Sequence, residues 1–409
     1  MKLSYRPEID GLRAIAVGAV ILYHAEISIS GYRIFDGGFI GVDIFFVISG
    51  YLITSIILKE LFLYGSFSFK NFYQRRIRRI LPVLLFVILA TLPIGWKFLM
   101  PNDLIDFSKS ILYSLGFSSN FYFHITGQEY AVWGLENPFL HTWSLSVEEQ
   151  YYILFPIILL LAFKFFKKYL PYILIFGLIV SLGIAEYSSR NYPSASFYFL
   201  HTRMWELLAG SLLAFFEIKN GHRAKVNSFN LILPLIGLFL IGHSFIFYNN
   251  EMFHPSFYTL SPIFGVCLII WFSNKNEIVT KMLSSKLFVS IGLISYSLYL
   301  WHYPIFVFAS KFNLSEGSIF KKLFIALSIL ILSIFSYYLI EKPFRAKKIK
   351  FKKIFIILIL KFLLIVTFCI YVLNLKYHSF LTKYAEEHSK FELNYNYKNF
   401  SDKKNILIV

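Results

Sequence analysis

Arg13 and His24 stand eleven residues apart, about three helical turns at roughly 3.6 residues per turn. On one helix face that spacing sets the histidine roughly 16 Å further along the axis than the arginine. An arginine at a membrane mouth with a histidine at depth suits a reaction site or a conduction path. Ionisable side chains in a membrane span usually face a bundle interior or a wet cavity, because contact with hydrocarbon costs about 3 kcal/mol or more. The pair alone is equally read as a snorkelling arginine and a histidine hydrogen-bonded between helices.

Further chemistry-bearing residues recur along the chain. In Gly41-Val42-Asp43-Ile44-Phe45-Phe46-Val47-Ile48-Ser49-Gly50 a carboxylate enters an apolar run. Asp43 there calls for a cationic or hydrogen-bonding partner, while Ser49 and Gly50 fit close helix packing. Arg75, Arg76, Arg78 and Arg79 fall within five positions ahead of the third apolar run. They serve as topology signals, and their forked guanidinium groups also suit the phosphates of a cofactor arriving from the cytoplasm. His141-Thr142-Trp143-Ser144-Leu145-Ser146-Val147-Glu148-Glu149 puts a histidine, hydroxyls and two carboxylates in one short segment. A helix N-terminus accounts for acidic residues there, and continuation of the helix carries Glu149 toward the interior. Arg203 and Glu206, three apart, form a candidate ion pair. Ser295 to Pro304 holds a further histidine, His302, and Glu341-Lys342-Pro343-Phe344-Arg345 closes the tenth run.

The elements that position these residues are membrane helices. Hydrophobic residues make up 57% of 409 positions and charged residues only 15%, too apolar for a soluble core. The fold class is therefore all-α and polytopic. Eleven spans are expected, near 12–29, 39–63, 80–99, 145–163, 171–187, 203–217, 230–247, 257–273, 287–309, 320–340 and 354–374. The net charge of +17 would raise nucleic acid as a partner in a soluble chain, but here the basic residues cluster between apolar runs and read as topology. They place the N-terminus inside and the C-terminus outside. The region 100–144, interrupted by Asp103, Asp106 and Lys109, reads as an outer re-entrant or interfacial element. Cys267 and Cys369 lie in apolar runs, so neither a disulfide framework nor a thiolate metal site is expected, and no metal is assigned. The first apolar run lacks a small-residue cleavage site and reads as a retained span.

With these motifs in order, the chain resembles the acyltransferase-3 family of integral membrane acyltransferases over roughly residues 5–345. Five pieces carry the resemblance. They are Arg13 with His24, the Gly41 to Gly50 block, Arg76-x-x-Arg79, the Trp143 to Gln150 block, and Ser295 to Pro304. An eleventh span and a short linker further resemble the subgroup fused to an SGNH hydrolase-like domain. The implied organisation is a membrane domain (1–345), an extra helix (346–375), and an outer linker with the start of a truncated SGNH-like domain (376–409). The strand-like end Asn405-Ile406-Leu407-Ile408-Val409 stops before the Gly-Asp-Ser block of that domain.

The resemblance implies transfer of an acyl group, usually acetyl from cytoplasmic acetyl-CoA, to a hydroxyl of an extracytoplasmic glycan. That glycan is lipopolysaccharide O-antigen, peptidoglycan or another cell-surface polysaccharide, in a protein of the bacterial cytoplasmic membrane surrounded by lipid. Arg13, Arg75, Arg76, Arg78 and Arg79 would meet the CoA phosphates. His24 would act as general base or accept the acyl group, with Asp43, Glu149 and His302 orienting or charge-balancing it. A separate SGNH-type protein is an expected partner. A transporter or flippase using His, Asp and Glu as a proton relay is the alternative, although no half-to-half repeat supports it. An inert anchor would need only one span.

Overall fold

A computed structural model describes residues 5–29, 32–127, 137–224, 229–275, 277–312, 314, 319–346 and 349–375. The expected start of an SGNH-like domain, 376–409, lies outside the described residues. Seventeen α-helices account for most of the rest. They are α1 (Pro7–His24), α2 (Gly41–Tyr64), α3 (Phe69–Phe98), α4 (Pro101–Leu115), α5 (Ser119–Thr126), α6 (Thr142–Phe166), α7 (Leu170–Asn191), α8 (Pro193–Tyr198) and α9 (Leu200–Asn220). The second half holds α10 (Phe229–Phe247), α11 (Leu260–Phe272), α12 (Ile278–Leu283), α13 (Lys286–Leu293), α14 (Ser295–Lys311), α15 (Ile319–Ser336), α16 (Lys342–Arg345) and α17 (Phe351–Asn374). β-structure among the described residues is one antiparallel pair, Ser28–Ile29 with Tyr32–Arg33.

Each of the eleven apolar runs is occupied by helix. Among the described residues, five helical stretches are long and apolar enough to cross a membrane, one of them (Thr142–Asn191) running through both α6 and α7, and six if α13 and α14 are taken as one bent span. The other runs are less uniform. α1 carries Glu8, Asp10 and Arg13, and α9 carries Arg203, Glu206 and Glu217, so neither is uniformly apolar. Helix α11 is short, with 13 residues. α1 also begins earlier than the sequence suggests, because Pro7 starts it with Glu8 and Asp10 in the first turn, and it ends at His24. The region 100–144 forms α4 and α5, and Leu104, Phe107 and Ile111 are buried on α4.

Large apolar side chains face outward, among them Phe176 on α7, Phe239 on α10, Phe324 on α15 and Leu364 on α17. Ionisable groups such as Asp43, Arg203, Glu206 and Glu341 are buried instead. That inversion of the soluble pattern, with several long apolar helices, is the arrangement of a multi-pass membrane protein.

Two glycine contacts fix the closest helix pairs. A Cβ on Gly50 of α2 would lie 1.9 Å from the Leu207 carbonyl oxygen, and one on Gly210 of α9 would lie 1.9 Å from that of Val47. The α2 and α9 backbones thus touch without intervening side chains. On α1, Gly11 meets the Leu283 carbonyl, and Gly292 of α13 meets the Asp10 carbonyl in the same way. Two apolar clusters surround this frame. The larger draws on α1, α2, α6, α9 and α11, the smaller on α3, α4 and α17, and α14 contributes to both.

Between α13 and α14 the chain bends by 64°. Broken helices in membranes persist where the irregular backbone is buried in protein or lines a cavity. Here the bend brings Ser295, Tyr296 and Tyr299 to a polar cavity.

Candidate active site

The arginine cluster lies on the first turns of α3, where Ser68 caps the helix by accepting a hydrogen bond from the Asn71 N–H. It lines a cavity of about 610 Å³ together with Arg345 and Lys350. The four arginines are not equivalent. Arg75 is half exposed and paired with Glu60 at 2.9 Å. Arg78 donates to the backbone carbonyls of Phe344, Ala346 and Ile349, fastening the segment that joins α16 to α17. Arg76 and Arg79 line this cavity and also the next one inward.

That next space is a narrow polar shaft, seen as adjoining cavities of about 50 and 80 Å³. Arg13, Arg79, Ser49, Glu148 and Tyr296 line both parts. Ser49 and Tyr152 each donate a hydrogen bond to Oε1 of Glu148, so one carboxylate joins α2 and α6 at the shaft wall. Arg13 is held by Asp10 at 2.9 Å, and the Arg76 guanidinium stacks on the Tyr152 ring. Ser144, Glu148 and Tyr152 follow at i, i+4 and i+8, which places them on one face of α6. The adjacent Glu149 turns away by about 100°. It is buried with Arg76 and Arg79 as its neighbouring cations, and its Oε1 has no hydrogen-bond partner among the described residues.

At the far end of the shaft stands Tyr299, whose hydroxyl bonds the Ser144 hydroxyl at 2.7 Å and donates to the His141 carbonyl at 2.9 Å. Its ring meets two imidazoles, those of His141 at 5.3 Å and His302 at 5.2 Å. His302 in turn lies 5.3 Å from His24 and 5.4 Å from His141, measured between ring centres. All three histidines are buried. His24 is oriented by a 2.9 Å contact of Nδ1 with the Val20 carbonyl, and His302 by a 2.6 Å contact of Nδ1 with that of Tyr299. Each of these contacts fixes Nδ1 as the protonated nitrogen and leaves Nε2 as the basic one. Among the described residues no group of three or more His, Cys, Asp or Glu is arranged to hold a metal ion.

Of the residues chosen from sequence, the structure thus brings together His24 and His302, and separately Arg13, Arg76, Arg79 and Glu149. Asp43 is engaged elsewhere. Its partner is Arg203 at 2.7 Å, which also donates to Glu206 at 3.3 Å and to Nε2 of His254 at 2.8 Å. The Arg203 guanidinium lies over the rings of Trp143 and Phe197 as well. The cation that Asp43 called for is therefore on α9, and the expectation that Asp43 supports His24 is replaced by a separate buried network. Sequence reasoning passed over His141, Glu148, Tyr299 and His254 as site residues. The Ser144-Glu148-Tyr152 stripe was the available signal for Glu148, whereas His254 had none.

A family model, that of an acyltransferase domain, matches residues 6–342. The chain belongs to the acyltransferase-3 family. "Putative O-acetyltransferase SAS0844" of Staphylococcus aureus strain MSSA476 is 34% identical over 367 residues, covering 85% of this chain and 59% of that protein. O-acetyltransferase OatA of Staphylococcus aureus strain NCTC 8325 is 32% identical over 359 residues, covering 85% of this chain and 58% of its own length. The chain thus spans less than two thirds of the length of these relatives. No solved structure matches it.

Proposed function

We propose that this acyltransferase moves an acetyl group from cytoplasmic acetyl-CoA to a hydroxyl of an extracytoplasmic cell-envelope glycan, in the bacterial cytoplasmic membrane. The observation that carries the reading is the sharing of Arg76 and Arg79 between the arginine-lined cavity and the shaft that ends at Tyr299 beside the histidines. In the orientation with the N-terminus inside, the arginine cavity opens to the cytoplasm. The cavity has both the charge and the forked donors that CoA phosphates require, and Arg76 and Arg79 are the residues to hold them. The shaft suits a long thin arm. At about 50 and 80 Å³ it holds only a few waters at roughly 30 Å³ each, so the helices part as the donor enters.

His24 acts as general base through Nε2. It takes the proton of the acceptor hydroxyl as that oxygen attacks the thioester carbonyl. The carbon–sulfur bond then breaks, and the leaving thiolate receives the proton. His302 and His141 close the site against water around that imidazole, and Glu148 positions Ser49 and Tyr152 along the donor's path.

The test is radiolabelled acetyl transfer by purified, reconstituted chain, with His24→Ala and Arg76→Ala beside wild type. Expected are loss of turnover with retained CoA binding for His24→Ala, and a raised Kd for CoA in Arg76→Ala. Absence of CoA binding by wild type would refute the reading and return a transport function to the front.

A further inference from the structure

A second cavity, of about 280 Å³, opens where α1 ends, some ten residues from Arg13 and beside the α7–α8 junction. It is near the lower limit of ligand sites, about 300 Å³, a size that fits one sugar ring better than an extended chain. Its walls are of two kinds. Tyr23, Phe197 and Phe253 supply aromatic surface, and Ser194, Asn249 and Glu251 supply hydroxyl, amide and carboxylate groups. A pyranose has the matching pair of features, apolar C–H faces and a rim of hydroxyls that both donate and accept.

The charge of the cavity narrows the choice. Neither lysine nor arginine is among its described lining residues, and Glu251 is exposed within it. The nearby arginines are committed to carboxylates, Arg203 to Asp43 at 2.7 Å, Arg190 to Glu186 at 2.5 Å and Arg33, close to Tyr23, to Glu26 at 3.2 Å. An acidic sugar would meet Glu251 while these arginines are already paired with carboxylates.

The cavity also adjoins the histidines. Tyr23 stands between, its ring edge-on to His24 at 4.9 Å and its hydroxyl donating to Oδ1 of Asn250 at 2.8 Å. Two successive residues of α1 therefore face the two compartments, Tyr23 the cavity and His24 the imidazole cluster.

We infer that this cavity is the acceptor subsite, that it takes one neutral pyranose unit and excludes carboxylated sugars, and that Tyr23 is the partition between it and His24. The inference rests on the proposed function and extends it to the acceptor side. It is tested with the full chain in proteoliposomes, using labelled acetyl-CoA and three probes: chitotetraose and maltotetraose as neutral acceptors, tetragalacturonate as the acidic one. Wild type is expected to label at least one neutral probe and to leave the acidic one unlabelled. Ser194→Trp, which fills the cavity, should raise the KM for the neutral probe at least tenfold with CoA affinity unchanged. Glu251→Lys, on an exposed side chain that leaves the fold intact, should admit tetragalacturonate.

Equal labelling of acidic and neutral probes by wild type would overturn the inference while leaving the acyltransferase reading in place. So would labelling of no probe by a wild type that binds CoA, or a Ser194→Trp enzyme with wild-type KM. A wild type that binds no CoA overturns the function and the inference together.

Discussion

Arg203→Met removes a cation from a site where Arg203 is 1% exposed and Asp43 and Glu206 are both fully buried. Two carboxyl groups are then left facing each other without water, and breaking a buried pair in this way costs roughly 3–5 kcal/mol. The Arg203 Nε hydrogen bond to the Phe197 carbonyl is lost as well, adding about 1 kcal/mol. Methionine keeps the packing of the arginine stem, so the cavity contribution is small. The triple variant Arg203→Met/Asp43→Asn/Glu206→Gln removes every formal charge while holding volume nearly constant, and should recover about 3 kcal/mol or more of the loss. Equilibrium unfolding in mixed detergent micelles measures both differences. A single variant within about 1 kcal/mol of wild type, or a triple variant no more stable than the single, would refute the argument that the network is a structural ion cluster. The same proteins decide what Asp43 does. If it only pairs with Arg203, the triple variant keeps acetyl-CoA turnover within about threefold of wild type.

Three further outcomes are expected. Arg79→Ala should raise the Kd for CoA about tenfold or more, the worth of a charge-assisted phosphate contact, while Arg78→Ala should lower thermal stability and leave the Kd unchanged; binding calorimetry and thermal unfolding separate the two. Glu148→Gln should cut transfer about a hundredfold with folding intact, because its Ser49 and Tyr152 contacts lose the charged acceptor; steady-state kinetics reads this directly. Gly210→Leu should destabilise the protein by about 3 kcal/mol or more, since the added side chain meets backbone and not a movable side chain; loss of a monodisperse peak on size exclusion is the measure.

The helices were legible because lipid imposes long apolar runs, and the chain places helix on each run that composition marks out. The resemblance motifs marked Arg13, His24, Arg76 and Arg79 as well, since each lies in a short local pattern. What was hidden depends on tertiary contact. Asp43 and Arg203 are 160 positions apart, and no periodicity links them. The 64° bend lies inside an apolar run that reads as one span from 287 to 309, because Gly292 serves close packing against α1 as much as chain breaking. The choice between Glu148 and Glu149 rested on depth, whereas the answer lay in rotation about the helix axis. His141 sits just before α6, outside any helical pattern, and enters the site through its ring contacts and through its carbonyl, which accepts from Tyr299.

Because Gly11 and Gly292 lock α1 axially against the chain before and within α13, α1 behaves as a gauge block of set length. One end carries the arginine of the donor shaft and the other carries the imidazole, with no hinge between them among its described residues. Reach is thereby built into a single covalent element. One residue inserted between Ala14 and Tyr23 would advance His24 by about 1.5 Å and swing it by about 100° out of the imidazole cluster, leaving both halves of the site intact but out of phase.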